Sequence, residues 1–254
     1  MNTEQLKAQL EDKGFIHLQN VCSDELLERS NDASKSRIRF IRDALGDNNI
    51  GIGSAAGYDE IVQRSPGRWD IPVSLQDFGV TSQELPWWPL VAAVLGEDAE
   101  ASFSGVVYSE PNTPAQEWHI DSPHVSNEHL PAHALNVLVA LHDIPLEMGP
   151  TEFAAGSHRL TNHRANNSLV PERLIYQHAD TTPSTLLSAA NDDELDCWSG
   201  GLTAGSCLIF DDRVLHRGLE NQTDSSRYVA YYSYRKSGYT ENTHFEAARS
   251  VFAN

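Results

Sequence analysis

The residues in this chain that could do chemistry are few and widely separated. His119 and Asp121 stand two apart in Trp118-His119-Ile120-Asp121, and a second histidine, His216, lies in Val214-Leu215-His216-Arg217-Gly218. On extended backbone, residues two apart project to the same side. An imidazole and a carboxylate are therefore offered together, and a third ligand need only arrive from elsewhere in the fold. Two histidines and one carboxylate on one side of an ion, with the other side open, suit non-haem Fe(II) that binds O2 and an organic co-substrate together. Eleven residues after His216, Arg227 heads Arg227-Tyr228-Val229-Ala230-Tyr231-Tyr232-Ser233-Tyr234. Its guanidinium can hold the far end of a dicarboxylate in a bidentate grip.

The chain has 11 histidines, so other groupings compete. His124, His129 and His133 follow Asp121 closely, and His129 and His133 have the i, i+4 spacing of a helical zinc pair. Pro131 lies between them and disfavours a helix interior there, so the stretch reads as a loop beside the site. His142, His158 and His163 have no partner at metal spacing and read as structural. A lone histidine beside apolar Val214 and Leu215 reads as a hydrogen-bonded core residue; only the complete set of four residues makes His216 a ligand. Arginines on strands commonly make surface ion pairs worth little. Alternation puts Arg227, Val229, Tyr231 and Ser233 on one strand face, and if that face is inward, Arg227 is a buried cation that needs an anion.

The elements that must position these groups come in two textures. Thr3–Asp12 reads as a short amphipathic helix capped by Thr3 and ended by Gly14, followed by a strand at Phe15–Leu18. Ser23 caps a longer helix reaching about Ala44, whose Arg29, Lys35, Arg37, Arg39 and Arg42 read as a solvated face. Gly46 to Gly57 is a loop. Ser65–Ile71 is a turn into a strand, with Arg68 and Asp70 as an internal ion pair and Trp69 in the core, or alternatively with these residues lining a substrate pocket, and Pro86–Leu90 opens a short helix to about Leu95. From Ala101 the pattern changes to short strands between turns: Ser102–Ser109, Leu135–His142, Thr151–Phe153, Ser206–Asp211, Val214–Leu219 and Arg227–Tyr234. Leu135–Leu141 is apolar on both faces apart from Asn136, whose amide needs a partner. The expected fold is mainly β with flanking helices: a double-stranded β-helix (jelly roll) with an N-terminal helical elaboration. One domain is expected over 1–254, helical to about residue 100 and jelly roll from about 101 to 240. Residues 162–196 read as an insertion of the kind that forms lids or surface excursions.

His119-x-Asp121, His216 and Arg227 resemble the iron triad and 2-oxoglutarate arginine of the Fe(II)/2-oxoglutarate dioxygenases, in the phytanoyl-CoA dioxygenase-like branch. Three further stretches are similar to that branch: Leu10–Leu18, Met148–His158 and Gly205–Asp211. The branch usually has Pro-Gly-Ser-His where this chain has Ala155-Gly156-Ser157-His158, a change of loop stiffness more than of chemistry. The resemblance implies Fe(II) held by His119, Asp121 and His216, 2-oxoglutarate fixed by Arg227, and O2 as the oxidant. It implies hydroxylation of an unactivated C–H bond of a small-molecule metabolite, with release of succinate and CO2. Relatives that halogenate have a small residue at the position of Asp121. The resemblance also places His216 and Arg227 on strands of opposite sheets, facing each other across the barrel. Tyr108, Asn136 and Thr151 are weaker candidates for further hydrogen bonds to the co-substrate. Arg68, Trp69, Trp118 and His133 are candidate substrate-pocket residues. The residues alone also admit a non-catalytic binding protein on a jelly-roll fold, or a metal-dependent cupin-type hydrolase or isomerase.

Composition narrows the partners. The 254 residues are 40% hydrophobic and 21% charged, values of a globular chain. No run approaches the roughly 18 apolar residues of a membrane span, and the N-terminus lacks the apolar core of a signal peptide. Three cysteines, Cys22, Cys197 and Cys207, show no metal spacing and read as reduced thiols of a cytoplasmic protein. A formal charge of −18 repels nucleic acid and anionic membrane surfaces, and argues mildly against a coenzyme A thioester as substrate.

Overall fold

Period-two alternation organises the larger sheet, and one strand shows it best. Along Arg227–Arg235 (β10), Ala230, Tyr232 and Tyr234 enter one hydrophobic cluster while Val229 enters another on the opposite face. The computed structural model describes residues 2–122, 129–160, 195–239 and 249–253. The other strands are β1 (Phe15–Leu18), β2 (Val62–Ser65), β3 (Arg68–Pro72), β4 (Glu100–Ser109), β5 (Ala134–Ala140), β6 (Thr151–Ala154), β7 (Cys197–Ser199), β8 (Cys207–Asp211) and β9 (His216–Gly218). They form a seven-stranded sheet in the order β1-β8-β5-β10-β4-β3-β2 and a three-stranded sheet in the order β7-β6-β9. His216 thus belongs to the small sheet and Arg227 to the large one.

The N-terminal hundred residues are less purely helical than expected. They supply β1 to one edge of the large sheet and β3 with β2 to the other. Their helices, α1 (Thr3–Lys13), α2 (Asp24–Leu45) and α3 (Trp88–Leu95), cover its outer face. Leu10, Leu26, Ile41, Leu90 and Val91 pack there on Ile71, Val106, Val137 and Tyr232. Both faces of β5 are covered, as its apolar run predicts. Phe15, Phe153, Phe210, Leu208 and Val229 fill the space between the sheets. Phe15 stacks on Phe153 at 4.6 Å, and each such buried ring contributes roughly 1.5–3 kcal/mol. A third cluster, Trp118, Ile120, Ala154 and Leu215, lies apart from both.

Local details depart from the sequence reading in three places. Asn2 caps α1 instead of Thr3: its side chain accepts the Gln5 N–H while the Gln5 side chain accepts the Asn2 N–H. The arginines of α2 are not all solvated. Arg37 donates to the Pro72 carbonyl, and Arg42 donates to Tyr108 Oη at 2.7 Å while lying 5.0 Å from the Trp69 ring. Asp70 pairs with Arg64 at 2.6 Å, not with Arg68, because Arg68 turns to other partners. The expected insertion lies outside the described residues except for its last two, as do His124 and His163.

The Gly156-Ser157-His158 stretch staples α1 to the small sheet. Ser157 Oγ accepts the Leu215 N–H at 2.8 Å, one residue before His216. His158 Nε2 donates to the Glu11 carbonyl, and the Gly156 N–H donates to Lys13 O. Gly14 makes the close approach possible: at φ 81° it caps α1, and a Cβ there would lie 2.6 Å from His158 Nδ1. Burial lowers the His158 pKa to about 4. Between that value and the ordinary 6.5, the unfolded chain binds more protons at this residue than the folded one. Stability therefore falls as pH drops through that window. Urea unfolding measured from pH 7 to pH 4.5 is expected to show the loss, and His158→Gln to flatten it; an unchanged slope in the variant would assign the loss to other groups.

Candidate metal centre

Backbone pairing creates the site. His119 and His216 are direct partners in an isolated antiparallel bridge and exchange both hydrogen bonds, at 3.0 and 2.9 Å. Side chains of such a pair share a face, and the two imidazole rings lie 4.4 Å apart. Asp121, two residues on, joins that face. Its oxygen Oδ2 is 3.7 Å from His216 Nε2, and one ligand atom from each of the three residues lies within 4.8 Å of the others. His119 Nδ1 donates to Glu117 O at 2.9 Å and His216 Nδ1 to Val214 O at 3.0 Å. A carbonyl only accepts, so both rings are held as the tautomer that presents an Nε2 lone pair.

The turn between β8 and β9 sets the third candidate ligand, Asp121. The Asp212 carbonyl accepts the N–H groups of Asp121 and Ser122, at 2.8 and 3.1 Å. That turn is braced by a buried bidentate pair, Arg213 to Asp211, at 2.7 and 2.6 Å. Burial favours the neutral form of Asp211, but the hydrogen bonds and charge of Arg213 prevail and lower its pKa. Phe210 and Phe153 lie 4.8 and 5.9 Å from the His216 ring and wall its inner side.

Two buried cations face the same interior. Arg68, Ser109 and Arg227 are successive register partners across β3, β4 and β10, so they share the inner face. Arg227 Nη2 donates to Ser109 Oγ at 3.1 Å, while Nε and Nη1 have no hydrogen-bond partner among the described residues. Arg68 donates to Gln116 Oε1, Pro114 O and Leu219 O, and its Nε is unpartnered. Gln116 Oε1 also accepts the Gly218 N–H. A larger residue at 218 would displace this arginine, since a Cβ there would lie 1.6 Å from Arg68 Nη1. Burial lowers the Arg227 pKa to about 10, and burial with the charge of Arg227 lowers that of Arg68. Buried, unneutralised guanidiniums with inward N–H groups call for an anion. A two-histidine, one-carboxylate set beside an anion site fits ferrous iron with a dicarboxylate.

The sequence model of phytanoyl-CoA dioxygenase (PhyH) matches residues 10–229. The chain belongs to the phytanoyl-CoA dioxygenase family. Its cofactors are therefore Fe(II), 2-oxoglutarate and O2. Solved structures with the same fold include AviO1 from Streptomyces viridochromogenes Tue57, 16% identical with a TM-score of 0.65, covering 95% of this chain and 98% of that one. The epimerase SnoN in complex with Fe3+, α-ketoglutarate and nogalamycin RO is 17% identical with a TM-score of 0.64, covering 92% and 84%. The non-haem carbocyclase SnoK from nogalamycin biosynthesis is 18% identical with a TM-score of 0.59, covering 93% and 87%. Among the described residues, no helix is long and apolar enough to cross a membrane.

Within this member of the family, several residues expected at the site lie elsewhere. Tyr108 and Trp69 are register partners on the outer face of the large sheet, under α2. Tyr108 is thus not a co-substrate contact, nor is Trp69 a pocket wall; the parity of β4 and β3 turns both away. Trp118 alternates with His119 and so faces away from the ligands, with the Arg217 guanidinium 4.5 Å from its ring. His133 is buried, with Nε2 3.5 Å from Asp212 Oδ2 and its ring 4.2 Å from that of Tyr239. Asn136 donates to Asp121 Oδ2 at 2.6 Å and accepts from Ser233 Oγ at 2.5 Å, which uses the amide on a metal-ligand candidate instead of the co-substrate. Thr151 is the register partner of Gly218 and keeps the parity of inward Phe153. Arg68 moves from the substrate set to the side of Arg227. The sequence pattern does not reveal Ser109, Gln116 and Gly218: sheet order brings Ser109 beside Arg227, and Gln116 and Gly218 meet Arg68 only through the folded chain. An anion at the arginine pair should stabilise the fold by mass action, by about 2.7 kcal/mol at a hundredfold excess over Kd. Succinate added without metal is therefore expected to raise the melting midpoint of the wild type but not of Arg227→Met; an equal rise in both would place the binding elsewhere.

Proposed function

We propose that this protein is an Fe(II)- and 2-oxoglutarate-dependent oxygenase that hydroxylates an unactivated C–H bond of a small-molecule metabolite, releasing succinate and CO2. The observation that carries the reading is the pairing of His119 with His216, which gathers two Nε2 lone pairs and the Asp121 carboxylate opposite a buried anion site. His119, Asp121 and His216 would hold the iron. Bound there, the metal supplies oxygen activation coupled to decarboxylation of the co-substrate.

The remaining work belongs to the chain. Arg227 and Arg68 hold the distal carboxylate of 2-oxoglutarate, with Ser109 and Thr151 alongside. Gln116 keeps Arg68 aimed inward by accepting one of its N–H groups. Phe210 and Phe153 keep water from the inner side of His216, so the reacting centre is desolvated on that side. A carboxylate at position 121 completes three protein ligands and leaves no gap for a halide, which supports oxygen insertion over halogenation. The interior choice of which C–H bond lies nearest is what the protein contributes to specificity. SnoN is an epimerase and SnoK a carbocyclase, so the product decides the outcome on this fold.

The test is a succinate-release screen over small-molecule metabolites with Fe(II) and 2-oxoglutarate, followed by product mass. Hydroxylation adds one oxygen atom, ring closure removes two hydrogens, and epimerisation leaves the mass unchanged. Asp121→Ala and His216→Ala are expected to abolish succinate formation, and an unaffected rate would remove the metal assignment. Arg227→Ala should weaken 2-oxoglutarate binding by roughly 30-fold or more, the loss of about 2 kcal/mol from a charge pair, with iron affinity nearly unchanged. Equal losses of both would make that arginine structural.

A further inference from the structure

We propose that Asn136 is a positioning residue of the metal centre, holding the Asp121 carboxylate in its ligating orientation, with Ser233 acting through it. The inference rests on the reading of His119, Asp121 and His216 as metal ligands. Those three are not positioned alike. Each histidine is set by the backbone bridge and by its own Nδ1–H···O=C bond. The backbone N–H of Asp121 donates to Asp212 O, but the side-chain torsions of its carboxylate need a separate restraint. The described restraint with the shortest reach is Asn136 Nδ2, 2.6 Å from Oδ2.

The amide cannot serve either way round. A carboxylate accepts only, so nitrogen must face Asp121, and the amide oxygen must then face a donor. Ser233 supplies it: its Oγ lies 2.5 Å from Asn136 Oδ1, and the two residues are register partners on β10 and β5. On its other side Asn136 is the register partner of Phe210 on β8, so the amide stands inside the large sheet, not at an edge. The result is a strut of side chains, Ser233 to Asn136 to Asp121, that crosses from the large sheet to the ligand segment bridged to the small one. A polar residue in an otherwise apolar strand costs stability unless its groups are paired. Here both ends are paired, and one partner is a ligand. Ordering the carboxylate in the folded protein removes an entropic cost from metal binding, which is how groups behind a ligand raise its affinity.

Anaerobic calorimetric titration with Co(II) alone, without co-substrate, tests this without turnover. Asn136→Ala is expected to weaken Co(II) binding by roughly 10- to 100-fold, and to leave 2-oxoglutarate affinity of the metal-loaded protein within about threefold. Ser233→Ala should weaken Co(II) binding less. The double variant should be no weaker than Asn136→Ala, as expected when one residue acts through another. Unchanged Co(II) affinity in both single variants overturns the inference, and so does a 2-oxoglutarate loss as large as the Co(II) loss. Additive losses overturn the action of Ser233 through Asn136. If Asn136→Ala fails to fold, Ser233→Ala carries the same test, because it removes only a hydroxyl. A wild type that does not bind Co(II), or a His216→Ala variant that binds as tightly, would instead overturn the metal reading beneath it.

Discussion

The exchange of two backbone hydrogen bonds between His119 and His216 is the constraint on which the site depends. Nothing in either side chain brings the imidazoles together; the chain does so by closing a bridge across nearly a hundred residues. Once that bridge forms, parity decides the rest. Asp121 joins the histidines because it is two residues from His119, and Gly218 reaches Arg68 because it is two residues from His216. The bridge is isolated, a single pairing outside the named strands, so its neighbours must brace it. Ser157 does this at Leu215, Gln116 at Gly218, and the Asp211–Arg213 turn at Asp121.

The two sheets divide the labour. The small sheet and the segment bridged to it carry the groups with lone pairs, and the large sheet carries the cations. The candidate metal ligands and the two buried arginines are thereby presented from opposite walls of one interior. The helical layer packs on the other side of the large sheet. It buries the outer face of the large sheet and uses Arg42, stacked on Trp69 and bonded to Tyr108, to fasten α2 to β3 and β4. The long α2 helix thus supports the site by stiffening the wall that holds Arg68 and Arg227. Two buried guanidiniums close together on that wall cost stability.

Much of this was legible in the residues. His119-x-Asp121 states its own geometry, the alternation along β10 separates Arg227 from Tyr228, and the apolar run of β5 implies cover on both faces. What failed was parity relative to the core. On β4, Tyr108 shares its face with Ser102 and Ser104, which by residue type resembles a polar inner lining, yet Ser104 Oγ donates to the Val73 carbonyl and that face lies under the helices. Small polar residues on a strand do not reveal which way is in when each can find a backbone partner. Trp118 is a different case, since the alternation that joins His119 to Asp121 already turns Trp118 away. Arg68 beside Arg227 was out of reach, because their meeting depends on β4 lying between them in the sheet, and no local pattern encodes strand order.

Gly218 and Arg68 have a consequence for how this chain can vary. The long guanidinium occupies the space that any larger residue at 218 would need, and Gln116 binds both. A descendant sequence acquiring serine or alanine at 218 has to shorten or reroute residue 68 in the same step or earlier. The two positions are 150 residues apart in the chain, yet what can stand at 218 depends on what already stands at 68.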